Sequence, residues 1–142
     1  MRELPIKKAA GIALTYNGLI ALGKRIYTYK GEPVEFGGYW SIFGGEIEEG
    51  ETESECAIRE LYEETGVEID THQLIPYKTI EHDRSNFTIF FANTHYRPNL
   101  RLNEEHLEYG WFDLGVIEHF PYLIDSLILD CIIDYRDNLM ED

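Results

Sequence analysis

Residues 44–67 read GGEIEEGETESECAIRELYEETGV, and the change from a glycine-bearing loop to a helix inside this stretch fixes the rest of the reading. Thr52 stands where a helix N-cap belongs, with Glu55 three residues later at capping-box spacing. Gly66, which tolerates the left-handed conformation that ends helices, is followed by β-branched Val67. The spacing predicts a helix from Glu53 to Thr65. With about 100° between successive residues, Ala57, Ile58, Leu61 and Thr65 form a stripe that faces a sheet, and Glu60 and Glu64 border that stripe. Glu60, Glu63 and Glu64 are crowded toward the C-terminal end, where like charges repel and oppose the backbone dipole, at roughly a few tenths of a kcal/mol each. A solvated acidic face is one explanation. The other is a hard divalent cation, which takes oxygen ligands from a few carboxylates and from substrate phosphates.

Working outward, residues 9–16 and 19–29 read as two β runs joined by Asn17-Gly18, a dipeptide suited to a tight hairpin turn. Residues 31–38 hold Gly31, Pro33, Gly37 and Gly38 and read as a loop before the short apolar strand YWSIF, 39–43. Downstream, 74–81, 86–96 and 107–114 carry the aromatic and β-branched content of strands. From Pro121, placed at the first helical position, Leu123, Ile124, Leu127, Ile128, Cys131 and Ile132 recur at helical spacing. Strands in the middle with two helices to cover them predict an α/β/α sandwich forming one domain over 1–142.

Composition narrows the chemistry. Twelve Lys and Arg against 27 Asp and Glu give a net charge of −15, which disfavours extended nucleic acid and anionic membrane as partners. A phosphate substrate would need a cation as go-between. An apolar content of 44%, with 13% aromatic residues, marks a packed globule rather than an acidic tail. Cys56 and Cys131 are far apart with no CxxC spacing, so both are expected to be reduced, buried thiols. Only six small apolar residues follow Lys7 and Lys8, too few for a secretory segment, and Asp130 interrupts LILDCII, so a cytoplasmic protein without a membrane span is expected.

The fixed positions Gly45, Glu51, Arg59-Glu60-Leu61, Glu63-Glu64 and Gly66-Val67 resemble the Nudix box of the Nudix (MutT-like) hydrolases, with Phe43 standing where many members have Pro. The resemblance implies a Nudix-type α/β/α sandwich with a mixed central sheet, a single Nudix hydrolase domain spanning 1–142. It implies cleavage of a nucleoside diphosphate linked to another moiety: a nucleotide sugar, a (d)NTP, a dinucleoside polyphosphate or an RNA 5′ end. Mg²⁺ or Mn²⁺ would be held by Glu60 and Glu64, with Glu63 as a further ligand and the Gly44 carbonyl as a backbone ligand. Arg59 would orient the glutamates with Glu51 as its partner. For the general base, Glu105 comes first and Glu108 second among the acids of 103–112, with His106 as the other possibility. Lys24 and Arg25 match the basic strand end that touches substrate phosphate in many relatives. Trp40, ahead of Tyr39, Phe43 and Trp111, is the expected aromatic of the substrate site, though large aromatics often belong to the core. His72, His82, His95 and His119 show no ligand spacing. Relatives are often homodimers, which makes a dimer the expectation here. Two rival readings remain at this stage: a nucleotide-sensing Nudix-like domain without turnover, and an acidic metal-buffering domain.

Overall fold

The computed structural model describes residues 5–120 and 123–140. Its strands are β1 (Lys7–Tyr16), β2 (Leu19–Arg25), β3 (Thr28–Tyr29), β4 (Glu32–Pro33), β5 (Trp40–Ser41), β6 (Phe43–Glu46), β7 (Leu74–His82), β8 (Ser85–Asn93) and β9 (His106–Asp113), with helices α1 (Glu53–Thr65) and α2 (Ser126–Asp134). The main sheet runs β5-β2-β1-β8-β7, with β9 added to β2 and β6 to β1. β1 and β8 are parallel and the other pairs antiparallel. The sheet is therefore mixed, as expected.

Each helix covers one face of the sheet. Cys56, Ala57 and Leu61 of α1 pack on Ile12, Leu14, Phe43 and Phe90. Ile128, Cys131 and Ile132 of α2 pack on Leu22, Ile89, Phe91 and Phe112. Both cysteines are free and buried. The result is an α/β/α sandwich in which alternate residues of β1, β2 and β8 supply opposite cores. No helix among the described residues is long and apolar enough to cross a membrane.

The local signals around α1 hold in detail. Thr52 accepts from the Glu55 amide while the Glu55 carboxylate accepts from the Thr52 amide, a complete capping box, and Gly66 closes the helix with φ 76°. Asn17 and Gly18 have φ of 46° and 79°, the positive pair that a type I′ hairpin turn requires.

Three boundaries differ from the expectation. The run 19–29 breaks after Arg25, and Thr28–Tyr29 instead pairs with Glu32–Pro33 in a separate small hairpin. The run 39–43 splits at Ile42, because Trp40–Ser41 pairs with β2 whereas the chain from Phe43 to Glu46 crosses over to β1. The predicted loop at 44–52 thus begins as strand. Helix α2 starts at Ser126 with Asp125 as its cap, not at Pro121, which lies outside the described residues. Leu123 and Ile124 meet Trp40 in a β-bridge, with the Trp40 amide donating to the Leu123 carbonyl at 2.8 Å. Their apolar spacing matches a helix, but the free edge at Trp40 claims their backbone.

Candidate active site

β1 pairs with β2 only at its far end, Thr15–Tyr16, and gives the same edge at Ala9–Ile12 to β6. The two strands fork, and β6 fills the fork. A cavity of about 730 Å³ opens at that end of the sheet, reaching Arg25, Gly44, Gly45, Glu60, Glu64 and Glu105 on the α1 side and Leu127 and Ile128 on the α2 side.

The paired glycines allow the fit. A Cβ on Gly44 would stand 2.5 Å from the Ala10 carbonyl oxygen, and one on Gly45 would stand 2.5–2.6 Å from the Glu60 carboxyl group. Gly44 permits β6 to close on β1, and Gly45 permits the Glu60 side chain to lie flat across β6. The second half of the site arrives from the loop before β9. The Arg101 amide donates to the Thr65 carbonyl at 2.8 Å, the Asn103 amide to the Glu64 carbonyl at 3.2 Å and the Ile26 amide to the Glu105 carbonyl at 3.2 Å. Asn103 then brackets Glu105, its Nδ2 donating to Oε2 at 3.2 Å and its Oδ1 accepting from the Glu105 amide at 3.0 Å. Carboxylate oxygens of Glu60, Glu64 and Glu105 consequently lie within 4.8 Å of one another.

Arg59 organises the acids around this trio. Its Nε and Nη2 grip Glu51 at 2.7 and 3.0 Å, its Nη1 donates to Glu60 at 3.0 Å and to Glu63 at 3.1 Å, and its Nη2 reaches the Glu46 carbonyl at 3.1 Å. The fork-to-fork pair with Arg59 holds the Glu51 carboxyl down at about 2. Glu64 goes the other way, to about 9: burial dominates, the Glu105 and Glu60 charges add to it, and Arg25 and the Gly44 backbone oppose it. Glu60 is also raised, first by burial, against the pull of Arg59. Glu64 is only 3% exposed and its Oε2 has no hydrogen-bond partner. A buried, unpaired carboxylate oxygen facing two other carboxylates is the donor set of a hard divalent cation, so the residues fit Mg²⁺ or Mn²⁺.

The expected residues divide into those brought together here and those placed elsewhere. Glu60, Glu64, Glu105, Arg25 and Gly44 line the cavity. Glu51 and Arg59 lie behind it as a clamp. Glu63 is held by Arg59 with its side chain 51% exposed, apart from the convergent trio. Lys24 shares the α2-side face with Ile20 and Leu22 by strand alternation, and its ammonium lies over the Tyr27 ring at 5.6 Å. Trp40 is 5% exposed and packed edge-on against Phe112 in the α2-side core, so it is a core residue and not a cavity wall. Glu108 faces Lys24 across the strands and is exposed. His106 is buried and its pKa falls to about 4 through burial and the nearby Arg25, so the imidazole is neutral near pH 7.

Sequence reasoning missed the apolar wall made by Phe36, Ile80 and Phe87. Phe36 is a non-glycine residue at φ 56°, a strained conformation that clusters at functional sites and has no signature in a single sequence.

Fold and site together define an α/β/α domain with a carboxylate cluster, two of its acids on one helix and the third on the loop before β9, at the open end of a mixed sheet. Residues 5–126 match the family model described as NUDIX domain, and the chain belongs to that family. A curated RNA pyrophosphohydrolase from Bartonella quintana (strain Toulouse) is 34% identical over 68 residues, 47% of this chain and 39% of that protein. The oxidized purine nucleoside triphosphate hydrolase of Mus musculus is 35% identical over 85 residues, 56% of this chain and 53% of that protein. The chain thus spans from two fifths to about half the length of these curated relatives. Among solved structures, the MutT protein from Methanosarcina mazei Go1 superposes with a TM-score of 0.77 at 21% identity, covering 99% of this chain and 100% of that one. At that identity the likeness concerns the fold.

Proposed function

We propose that this protein is a metal-dependent pyrophosphohydrolase that cleaves the phosphoanhydride bond of a small nucleoside diphosphate derivative, acting in the cytoplasm. The observation that carries the reading is the convergence of Glu60, Glu64 and Glu105 at a cavity, with a buried Glu64 oxygen left unpaired. Glu60 and Glu64 would hold Mg²⁺ or Mn²⁺, which when bound neutralises pyrophosphate oxygens and makes a water molecule a better nucleophile. Arg25, on the same face, binds a phosphate that net charge −15 would otherwise repel. Glu105, exposed at the rim, accepts the proton of the attacking water at a carboxylate oxygen. Arg59 keeps Glu60 and Glu51 in place throughout. The apolar wall at Phe36, Ile80 and Phe87 suits the nucleoside end of the substrate. The relatives' names, RNA pyrophosphohydrolase and oxidized purine nucleoside triphosphate hydrolase, support hydrolysis of a phosphoanhydride and differ in the compound that carries it.

The test is release of phosphate, pyrophosphate or nucleoside monophosphate from a panel of NTPs, NDP-sugars, dinucleoside polyphosphates and 5′-triphosphorylated RNA, with Mg²⁺ and with EDTA. Turnover that requires the metal and disappears in Glu64→Gln supports the reading. Tight nucleotide binding with no turnover on any member of the panel would replace it with a sensing role.

A further inference from the structure

Among the described residues, three buried side-chain polar atoms lack a hydrogen-bond partner, and two of them, Arg25 Nε and His106 Nδ1, belong to residues paired across β2 and β9. That pairing depends on a register shift. Lys24 faces Glu108, Arg25 faces His106, and Leu107 is passed over. A bulge redirects the side chains beyond it; here Leu107 is left 52% exposed while His106 turns inward to 8%. Gly23 provides the room, since a Cβ there would stand 2.7 Å from His106 Cδ2 and 2.6 Å from the Phe43 ring. Phe43 meets the imidazole edge to face at 5.0 Å. A bulge, a glycine and an aromatic wall thus hold one imidazole on the face and at the strand position of one guanidinium.

The two unpaired atoms are chemically complementary. Guanidinium Nε–H can only donate, and Nδ1 of an imidazole protonated at Nε2 can only accept. We propose that His106 is the positioning residue of Arg25: the two atoms are not bonded to each other in this structure, and rotation of the guanidinium lets Nδ1 accept from Nε–H, which fixes its plane and leaves both Nη groups for a substrate phosphate. A guanidinium grips phosphate through a rigid planar fork, so fixing that plane sets the affinity. The phosphate in this inference rests on the pyrophosphohydrolase reading, whereas the His–Arg contact does not.

The experiment measures dissociation constants for α,β-methylene-ADP with saturating Mg²⁺ in wild type, His106→Phe, His106→Asn, Arg25→Lys and the Arg25→Lys/His106→Phe double variant. Loss of the acceptor in His106→Phe weakens binding about tenfold, the Asn Oδ1 restores it to within about threefold of wild type, and the Phe change has no further effect once lysine has removed Nε–H. Mg²⁺ affinity without nucleotide stays constant across the set. In the wild type itself, ¹⁵N chemical shifts of His106 report the Nε2–H tautomer with an accepting Nδ1, and Arg25→Lys abolishes the accepting signature. Additive losses in the double variant, undiminished binding by His106→Phe, or an Nδ1–H tautomer overturn the proposal. A wild type that binds Mg²⁺ but no diphosphate overturns the hydrolase reading instead, and the tautomer still decides the His–Arg contact.

Discussion

The carboxyl group of Glu60 lies against the Cα of Gly45, so closely that a methyl group there would sit 2.5 Å from Glu60 Cδ. The glycine that precedes the acidic loop is therefore a space-keeper for a carboxylate carried by a helix some distance along the chain. Gly44, its neighbour, keeps space on the opposite side, for the backbone of β1.

The two glycines should fail differently. Gly45→Ala displaces the Glu60 carboxylate, and the expected loss is roughly 100-fold in kcat with weakened Mg²⁺ binding, because small misplacements of positioned groups have costs of that order. Gly44→Ala collides with backbone and destabilises the fold by about 1–3 kcal/mol. Metal titration and chemical denaturation of both variants check the division; equal effects on both readouts would contradict it.

Burial of Glu64 predicts a pH signature in metal-free protein. Its carboxyl titrates near 4.5 in the unfolded chain and near 9 in the fold, so between those values the folded state binds the extra proton. Stability from this group is full below about 4.5 and is lost as pH rises toward about 9. In EDTA, Glu64→Gln should remove that decline and exceed the wild type in stability at pH 8, while in Mg²⁺ the same variant should have no turnover. Denaturant midpoints between pH 5 and 9 provide the measurement.

Glu51 predicts the opposite slope. Arg59 lowers its carboxyl from 4.5 to about 2, so the stability it contributes is complete above about 4.5 and disappears as pH falls toward 2. Glu51→Gln should be less stable than wild type at pH 7, with the two converging in acid. A constant difference in midpoint down to pH 2 would rule out the pair as the source.

On the α2 side, the Tyr77 hydroxyl donates to Asp134 Oδ2 while its ring meets Phe91 and Tyr135. Tyr77→Phe keeps the ring contacts and loses the hydrogen bond, for an expected destabilisation of about 0.5–1.5 kcal/mol. Tyr77 does not line the cavity, so turnover per folded molecule should match wild type in assays corrected for active protein.

Helix α1 and its caps were legible because capping box, glycine stop and apolar stripe are all local signals that agree. The crowding of Glu60 and Glu64 was legible through the like-charge repulsion it imposes on that helix. Trp40 misled because an aromatic near the site looks the same whether it faces a ligand or Phe112, and Leu123 and Ile124 misled because apolar spacing does not reveal that a free strand edge will take their backbone. Lys24 and Arg25 looked equivalent in sequence, yet adjacent strand residues face opposite sides, and only Arg25 enters the cavity. The inward turn of His106 depends on a bulge between strands far apart in the chain, which no local pattern announces.

The tie between the Asn103 amide and the Glu64 carbonyl has a consequence during synthesis. A nascent chain long enough to form α1 already carries two of the three converging acids, but the third arrives only after the ribosome has added the segment up to Glu105. Until then the three carboxylates cannot converge, and on the pyrophosphohydrolase reading proposed above an unfinished polypeptide has no turnover however well its first helix has formed.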